Sequence, residues 1–270
     1  MKFKKLIALS LTAIVGLSLT ACGSDKKAED NGNKTKIVVG ASPVPHAEIL
    51  EEAKSILKDK GYDLEIKTFD DYVLPNTATE EGSLDANFFQ HAPYLETFNK
   101  EQNTHLVAGA KIHIEPMGAY SKKIKDISEL KDGATVSIPN DGSNGARALK
   151  LLEAKGLIKL KDKEIPSVLD IKENPKNLKI TEMQAEQLPV SLDDVDLSII
   201  NTNFAIQGNL NPLKDALFIE GSDSPYANIL VTKEGNENTE WFKALEEALT
   251  SDKIKTFIEE KYNGSIVPVF

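Results

Sequence analysis

Arg147 is the only arginine in a chain whose other 31 basic residues are lysines. A guanidinium offers parallel N–H donors that match a carboxylate, whereas an ammonium acts as a point charge. A sequence so biased to lysine keeps arginine where the planar fork matters. Arg147 ends the segment Pro139-Asn140-Asp141-Gly142-Ser143-Asn144-Gly145-Ala146-Arg147, which is rich in turn formers. Glycines there admit close backbone approach, and the first-turn amides of a following helix favour an anion. The segment leaves two readings open: recognition of a ligand carboxylate, or a structural ion pair with Asp141 or another acid. Ser143 has the same ambiguity, between a nucleophile and a helix cap.

A second group is Asn87-Phe88-Phe89-Gln90-His91-Ala92-Pro93-Tyr94. Along an extended chain Phe89 and His91 share a face, and Tyr94 follows the proline. Rings with polar tips suit a small amphipathic ligand, although core aromatics at a strand–helix junction look the same. Tyr72, in Phe69-Asp70-Asp71-Tyr72-Val73-Leu74-Pro75-Asn76, stands just after another strand pattern. Asn201 and Asn228 complete the set, since an amide serves either ammonium or carboxylate.

Motifs for catalysis are missing. No Gly-x-Ser-x-Gly elbow, phosphate-binding glycine loop or His-Glu-x-x-His occurs, so no catalytic residue is assigned. The four histidines, His46, His91, His105 and His113, lack paired ligand spacing, and there is one cysteine. No metal and no cofactor are expected. The formal net charge of −10 argues against nucleic acid as a partner.

Cys22 explains its own isolation. Met1 to Lys5 is basic, Leu6 to Thr20 is apolar, and Leu19-Thr20-Ala21-Cys22 follows. The pattern reads as an export signal over residues 1–21, too short for a membrane span. It resembles a bacterial lipobox, in which the cysteine is acylated and becomes the first residue of the mature chain. Residues 22–36, almost free of apolar side chains, read as a flexible tether.

The elements that must position these residues begin at Ile37. Strand-like runs at Ile37–Val39, Leu64–Phe69 and His105–Ala108 alternate with helical patterns at Ala47–Leu57 and around Leu95 and Phe98. A second series follows: a strand at Ala134–Ile138, a helix at Asn144–Lys155, strands at Leu178–Ile180 and Asp196–Ile200, and a helix after Asn201. Strands at Leu217–Ile219 and Ile229–Val231 and helices at Trp241–Leu249 and Ile254–Tyr262 close the chain. Such alternation predicts α/β layers with largely parallel sheets. Residues 37–115 and 222–270 are expected to form one lobe, with 116–221 inserted as the other, so that the chain crosses twice. Ligands of open α/β sheets lie beyond the strands' carboxyl ends, where the candidate residues fall.

Four blocks make the pattern specific: Phe69 to Asn76, Asp85 to His91, Glu173-Asn174-Pro175-Lys176-Asn177-Leu178, and Ile200-Asn201-Thr202. They closely resemble the methionine-binding NlpA-type lipoproteins, the substrate-binding proteins of methionine ABC importers, and the similarity runs from about Ile37 to the C-terminus. The resemblance implies a two-lobe, type II-like periplasmic-binding-protein fold with two inter-lobe crossovers. It implies a monomer on the extracytoplasmic face of the cell membrane, held by its lipid. The partners would be methionine, in the L and also the D form, and the permease and ATPase of an importer. Arg147 would grip the ligand carboxylate, Asn201 and Asn228 would fix the amino-acid head group, and Tyr72, Phe89, His91 and Tyr94 would surround the thioether. Another apolar amino acid, a methionine-containing dipeptide, or a surface adhesin on the same fold are the competing readings.

Overall fold

The computed structural model describes residues 35–221 and 224–270. The export segment, Cys22 and the tether up to residue 34 lie outside the described residues.

The first half of the chain lays down β1 (Lys36–Ala41), α1 (Glu48–Asp59), β2 (Asp63–Thr68), α2 (Leu74–Glu80), β3 (Ala86–His91), α3 (Ala92–Gln102) and β4 (Leu106–Ile114). β1 pairs in parallel with β2 and β3. Burial on both faces of β3, where all six residues are buried, fits its place inside the sheet. The helix reading held for α1, whose Ile49, Leu50, Ala53 and Leu57 are buried at helical spacing.

The chain then leaves for a second sheet. β5 (Gly118–Tyr120), β6 (Thr135–Pro139), α4 (Gly142–Ala154), the short pair β7 (Lys159–Leu160) and β8 (Ile171–Glu173), β9 (Lys179–Met183), α5 (Leu188–Ser191), β10 (Leu197–Ile200), α6 (Thr202–Gln207), α7 (Pro212–Asp215) and β11 (Ala216–Ile219) follow. Among the described residues the order of this sheet is β11-β5-β10-β6-β9. The chain returns as β12 (Ala227–Lys233), α8 (Glu240–Leu249), α9 (Asp252–Tyr262) and β13 (Val267–Pro268), completing a first sheet of order β13-β4-β12-β3-β1-β2. Two sheets with two crossings give the α/β two-lobe architecture.

The sheets are mixed, which corrects the expectation of largely parallel ones. β12 re-enters between β3 and β4 antiparallel to both. β5 likewise runs antiparallel to β10 and β11, while β6 is parallel to β9 and β10. A strand that returns from the other lobe enters its sheet from the end opposite to a βαβ crossover, so its direction inverts.

Each sheet carries its own core. In the first lobe Ile37, Val39, Phe88 and Leu230 meet Leu50 and Leu57 of α1, Phe242 and Leu245 of α8, and Ile258 of α9. In the second, Val136, Ile138 and Leu197 meet Leu149 and Leu152 of α4. Leu149 has no exposed surface, so Leu149→Ala removes packed volume that its neighbours refill only in part. A loss of about 2–5 kcal/mol in unfolding free energy is expected. Urea titration followed by circular dichroism checks it, and a loss below about 1 kcal/mol, the size of a mere surface change, would contradict the packing.

Candidate functional site

The carboxyl ends of strands from both sheets face one cavity. β3 supplies Phe89, Gln90 and His91, and α3 immediately adds Tyr94. Tyr72 comes from the loop after β2, Asn228 from β12, and Glu115 from the first crossover. The second lobe supplies Asn144 and Arg147 from α4 after β6, Asn201 from the junction between β10 and α6, and Thr202 and Asn203 from the first turn of α6. The cavity is about 320 Å³. All seven residues singled out in the sequence, Tyr72, Phe89, His91, Tyr94, Arg147, Asn201 and Asn228, line it together.

The start of α4 shows how sequence sets geometry. Asp141 is the cap, accepting from the Asn144 backbone N–H at 2.8 Å, and Ser143 donates to the same carboxylate at 3.0 Å. The cap is therefore Asp141 and not Ser143. Gly145 lets the helix approach β6: a Cβ there would lie 3.0 Å from the Pro139 carbonyl oxygen. That approach brings Asn144 and Arg147 into the cavity wall.

Hydrogen bonds join the lobes across the cavity. The Tyr72 hydroxyl donates to Asn203 Oδ1 at 2.6 Å, and His91 Nε2 meets Asn144 Oδ1 at 3.0 Å. The His91 tautomer follows from its contacts. Its Nδ1 accepts from the Tyr94 backbone N–H, so Nε2 carries the proton and donates to Asn144. Burial, followed by the nearby Arg147 charge, pushes the imidazole down to about 3, which keeps it neutral.

Arg147 is paired as well as lining. Its Nε donates to both oxygens of Glu220, at 3.0 and 3.1 Å, and Nη2 bonds the same carboxylate and the Glu115 carbonyl oxygen. The Tyr226 ring lies against the guanidinium, 4.3 Å from centroid to Cζ. Asp141, the acid nearest in sequence, is not the partner. The Nη1 side of the fork has no protein hydrogen bond among the described residues, so the arginine is anchored by one edge.

Two amide atoms of the residues lining the cavity are unsatisfied among the described residues, Asn201 Oδ1 and Asn203 Nδ2. For Asn201 the assignment is fixed by neighbours. Asn144 Nδ2 donates to the Asp141 carboxylate, so Asn144 Oδ1 must accept, and Asn201 Nδ2 donates to it at 2.9 Å. Asn201 Oδ1 is left as a buried acceptor. At the other end, Tyr72 lies 5.8 Å from Phe89, 5.7 Å from Tyr94 and 4.9 Å from Phe204, ring centre to ring centre. The cavity lining thus combines unpaired donors, an unpaired acceptor and a cluster of aromatic rings.

Sequence reasoning missed Glu115, Asn144, Asn203 and Glu220. It also treated the histidines as scattered, which the fold corrects for two of them. His113 Nε2 lies 2.7 Å and His46 Nε2 3.2 Å from Glu115 Oε1. These three ligand-capable atoms lie within 4.8 Å of one another. Two donors bound to one ion at about 2.0–2.2 Å in tetrahedral geometry stand roughly 3.3 Å apart, so the 2.7 Å contact is a hydrogen bond. The sequence signal available was Ile112-His113-Ile114-Glu115-Pro116, where polar residues alternate with apolar ones at a strand end.

Lobes joined by two crossings and bonded to each other around an enclosed polar cavity are the build of a solute-binding protein. The sequence narrows this: the chain belongs to the NlpA lipoprotein family, whose sequence model matches residues 37–270. It is 46% identical, over 98% of both chains, to the D-methionine-binding lipoprotein MetQ of Escherichia coli K12. It is 44% identical to the methionine-binding lipoprotein MetQ of Bacillus subtilis, over 98% of this chain and 99% of the relative. Among solved structures, a nutrient binding protein from Burkholderia cenocepacia bound to methionine superimposes with a TM-score of 0.85 at 42% identity, covering 87% of this chain and all of that one.

Proposed function

We propose that this protein is a lipid-anchored binding protein that captures methionine between its lobes and delivers it to an ABC importer. The observation that carries the reading is the polarity of the cavity. The Arg147 Nη1 edge and Asn203 Nδ2 offer donors to the ligand carboxylate, while Asn201 Oδ1 and the buried Glu115 offer acceptors to its ammonium. Tyr72, Phe89 and Tyr94 take the side chain, where a thioether sulfur gains about 0.3–1.5 kcal/mol per aromatic contact. His91 and Asn228 hold the wall between the two ends.

Relatives that carry methionine-binding names, and a structural neighbour bound to methionine, support the same ligand. L-methionine is the ligand of the reading, with D-methionine as a second candidate. The importer's permease and ATPase are the partners, and the protein acts as a monomer on the extracytoplasmic face of the membrane. Residues 37–115 and 222–270 form one lobe in this reading, and 116–221 the other. Binding rather than catalysis is the role: His91, the histidine lining the cavity, has both ring nitrogens engaged and no lone pair left for a base.

Methionine binds only the folded, closed form, so it raises stability by mass action. At a hundredfold excess over Kd the gain is about 2.7 kcal/mol, or about 5–11 °C in melting temperature for a chain of this size. Ligand-stripped protein heated with and without methionine tests this, with leucine and a methionyl dipeptide as comparisons. No upward shift with methionine would overturn the reading.

A further inference from the structure

Glu115 poses a physical problem that its neighbours solve. It lies at the first crossover, with 6% of its side chain exposed, and it lines the cavity. Burial raises its pKa, so a carboxyl group in this place tends to hold its proton and lose its attraction for an ammonium. Among the described residues no lysine or arginine side chain bonds its carboxylate; Arg147 reaches only its backbone carbonyl.

Two fully buried imidazoles converge on it instead. His113 Nε2 is 2.7 Å and His46 Nε2 3.2 Å from the same Oε1. Both Nδ1 atoms lack a partner among the described residues. This fixes the tautomers. A proton on Nδ1 would leave a buried donor unmade and would turn the Nε2 lone pair toward the carboxylate, two penalties at once. With the proton on Nε2, the His113 ring donates to Oε1, and the His46 ring donates to Asn228 Oδ1 at 3.1 Å with Glu115 Oε1 3.2 Å away. Burial holds both rings neutral, with pKa values lowered to about 4 for His46 and about 3 for His113.

Neutrality is the point of the arrangement. A lysine or an imidazolium here would cancel the carboxylate's charge, whereas a neutral N–H stabilises that charge and leaves it available. Nor do the rings have freedom to turn away. Phe88 packs edge-on against both, with centroids 4.7 Å from His46 and 5.4 Å from His113. The His46 N–H is taken by Asn228 Oδ1, 3.1 Å away, so this ring fixes a second residue of the cavity wall beside Glu115.

We propose that His46 and His113 are positioning residues for the ammonium end of the ligand, two buried imidazoles at the cavity wall: the His113 Nε2–H holds the Glu115 carboxylate, charged and fixed, and the His46 Nε2–H, beside the same carboxylate, holds Asn228. The inference rests on the methionine reading above. Its chemistry requires an ammonium on the ligand and is indifferent to the thioether.

The test compares two ligands in calorimetric titrations of stripped protein: methionine, and 4-(methylthio)butanoate, which is methionine without its amino group. Wild type is expected to bind methionine far more tightly than the deaminated acid. His113→Leu should weaken methionine by about 10- to 100-fold, the scale of one hydrogen bond to a charged group, and His46→Leu, which removes a hydrogen bond to a neutral amide, by about 3- to 10-fold. The same variants should change binding of the deaminated acid by less than about threefold. His113→Gln, whose amide N–H falls near the position of Nε2, should recover part of the methionine affinity and also serves if the leucine variant does not fold. Variants that weaken both ligands by the same factor, or neither, overturn the inference while leaving the methionine reading intact. Wild type that binds no methionine overturns the reading itself and this inference with it.

Discussion

Arg147→Ala is expected to weaken methionine binding by about 2–5 kcal/mol, or about 30- to 4,000-fold in Kd. A methionine carboxylate entering the closed cavity gives up its water, and an unpaired charge there costs several kcal/mol. Arg147 is the only guanidinium in the chain, and its Nη1 edge is the part left free of protein bonds among the described residues. The substitution has a second consequence. Glu220, which bonds Nε and Nη2, loses its partner, and the protein should lose stability as well as affinity. The double variant Arg147→Ala/Glu220→Gln separates the two effects. It should recover melting temperature, because the stranded charge is gone, but should not recover binding. Arg147→Lys should rescue little, since one ammonium cannot hold Glu220 and a ligand in the same planar fork. Full binding by a folded Arg147→Ala protein, measured by calorimetry, would place the ligand carboxylate elsewhere.

Cys22→Ala is expected to move the protein from the membrane to the soluble fraction almost entirely. Acyl chains contribute about 0.8 kcal/mol per buried CH₂, so several chains on one cysteine hold the protein where a single myristoyl chain binds only marginally. No helix among the described residues is long and apolar enough to cross a membrane. Palmitate labelling followed by fractionation checks this. Retention of the unlabelled variant on membranes would show an anchor other than the lipid.

The site was legible where chemistry and strand ends coincide. Arg147 stood out by composition, and Tyr72 and Asn201 each follow a strand whose pattern could be read locally, whereas His91 ends β3, a fully buried strand with no alternation to read. The mixed order of the sheets was not legible, because the direction of β12 depends on where the chain re-enters after the second lobe. β5, three residues long and Gly-Ala-Tyr in sequence, carries no periodicity to read. Glu220 was invisible for a different reason: it bonds an arginine 73 positions earlier, and ion pairs of that span leave no trace in spacing. The two histidines around Glu115 show the same limit, since His46 sits before α1 and His113 near the end of β4. The lone acid before Pro116 was the one local hint, and it gains meaning only from the rings packed around it.

The central claim is that the cavity between the lobes takes one methionine. Calorimetric titration of the ligand-stripped protein with L-methionine tests it most directly. The account predicts saturable binding at one methionine per chain, lost in the Arg147→Ala/Glu220→Gln protein although that protein stays folded. Absence of heat and of saturation in the wild type, with bound ligand first removed by unfolding and refolding, would contradict it.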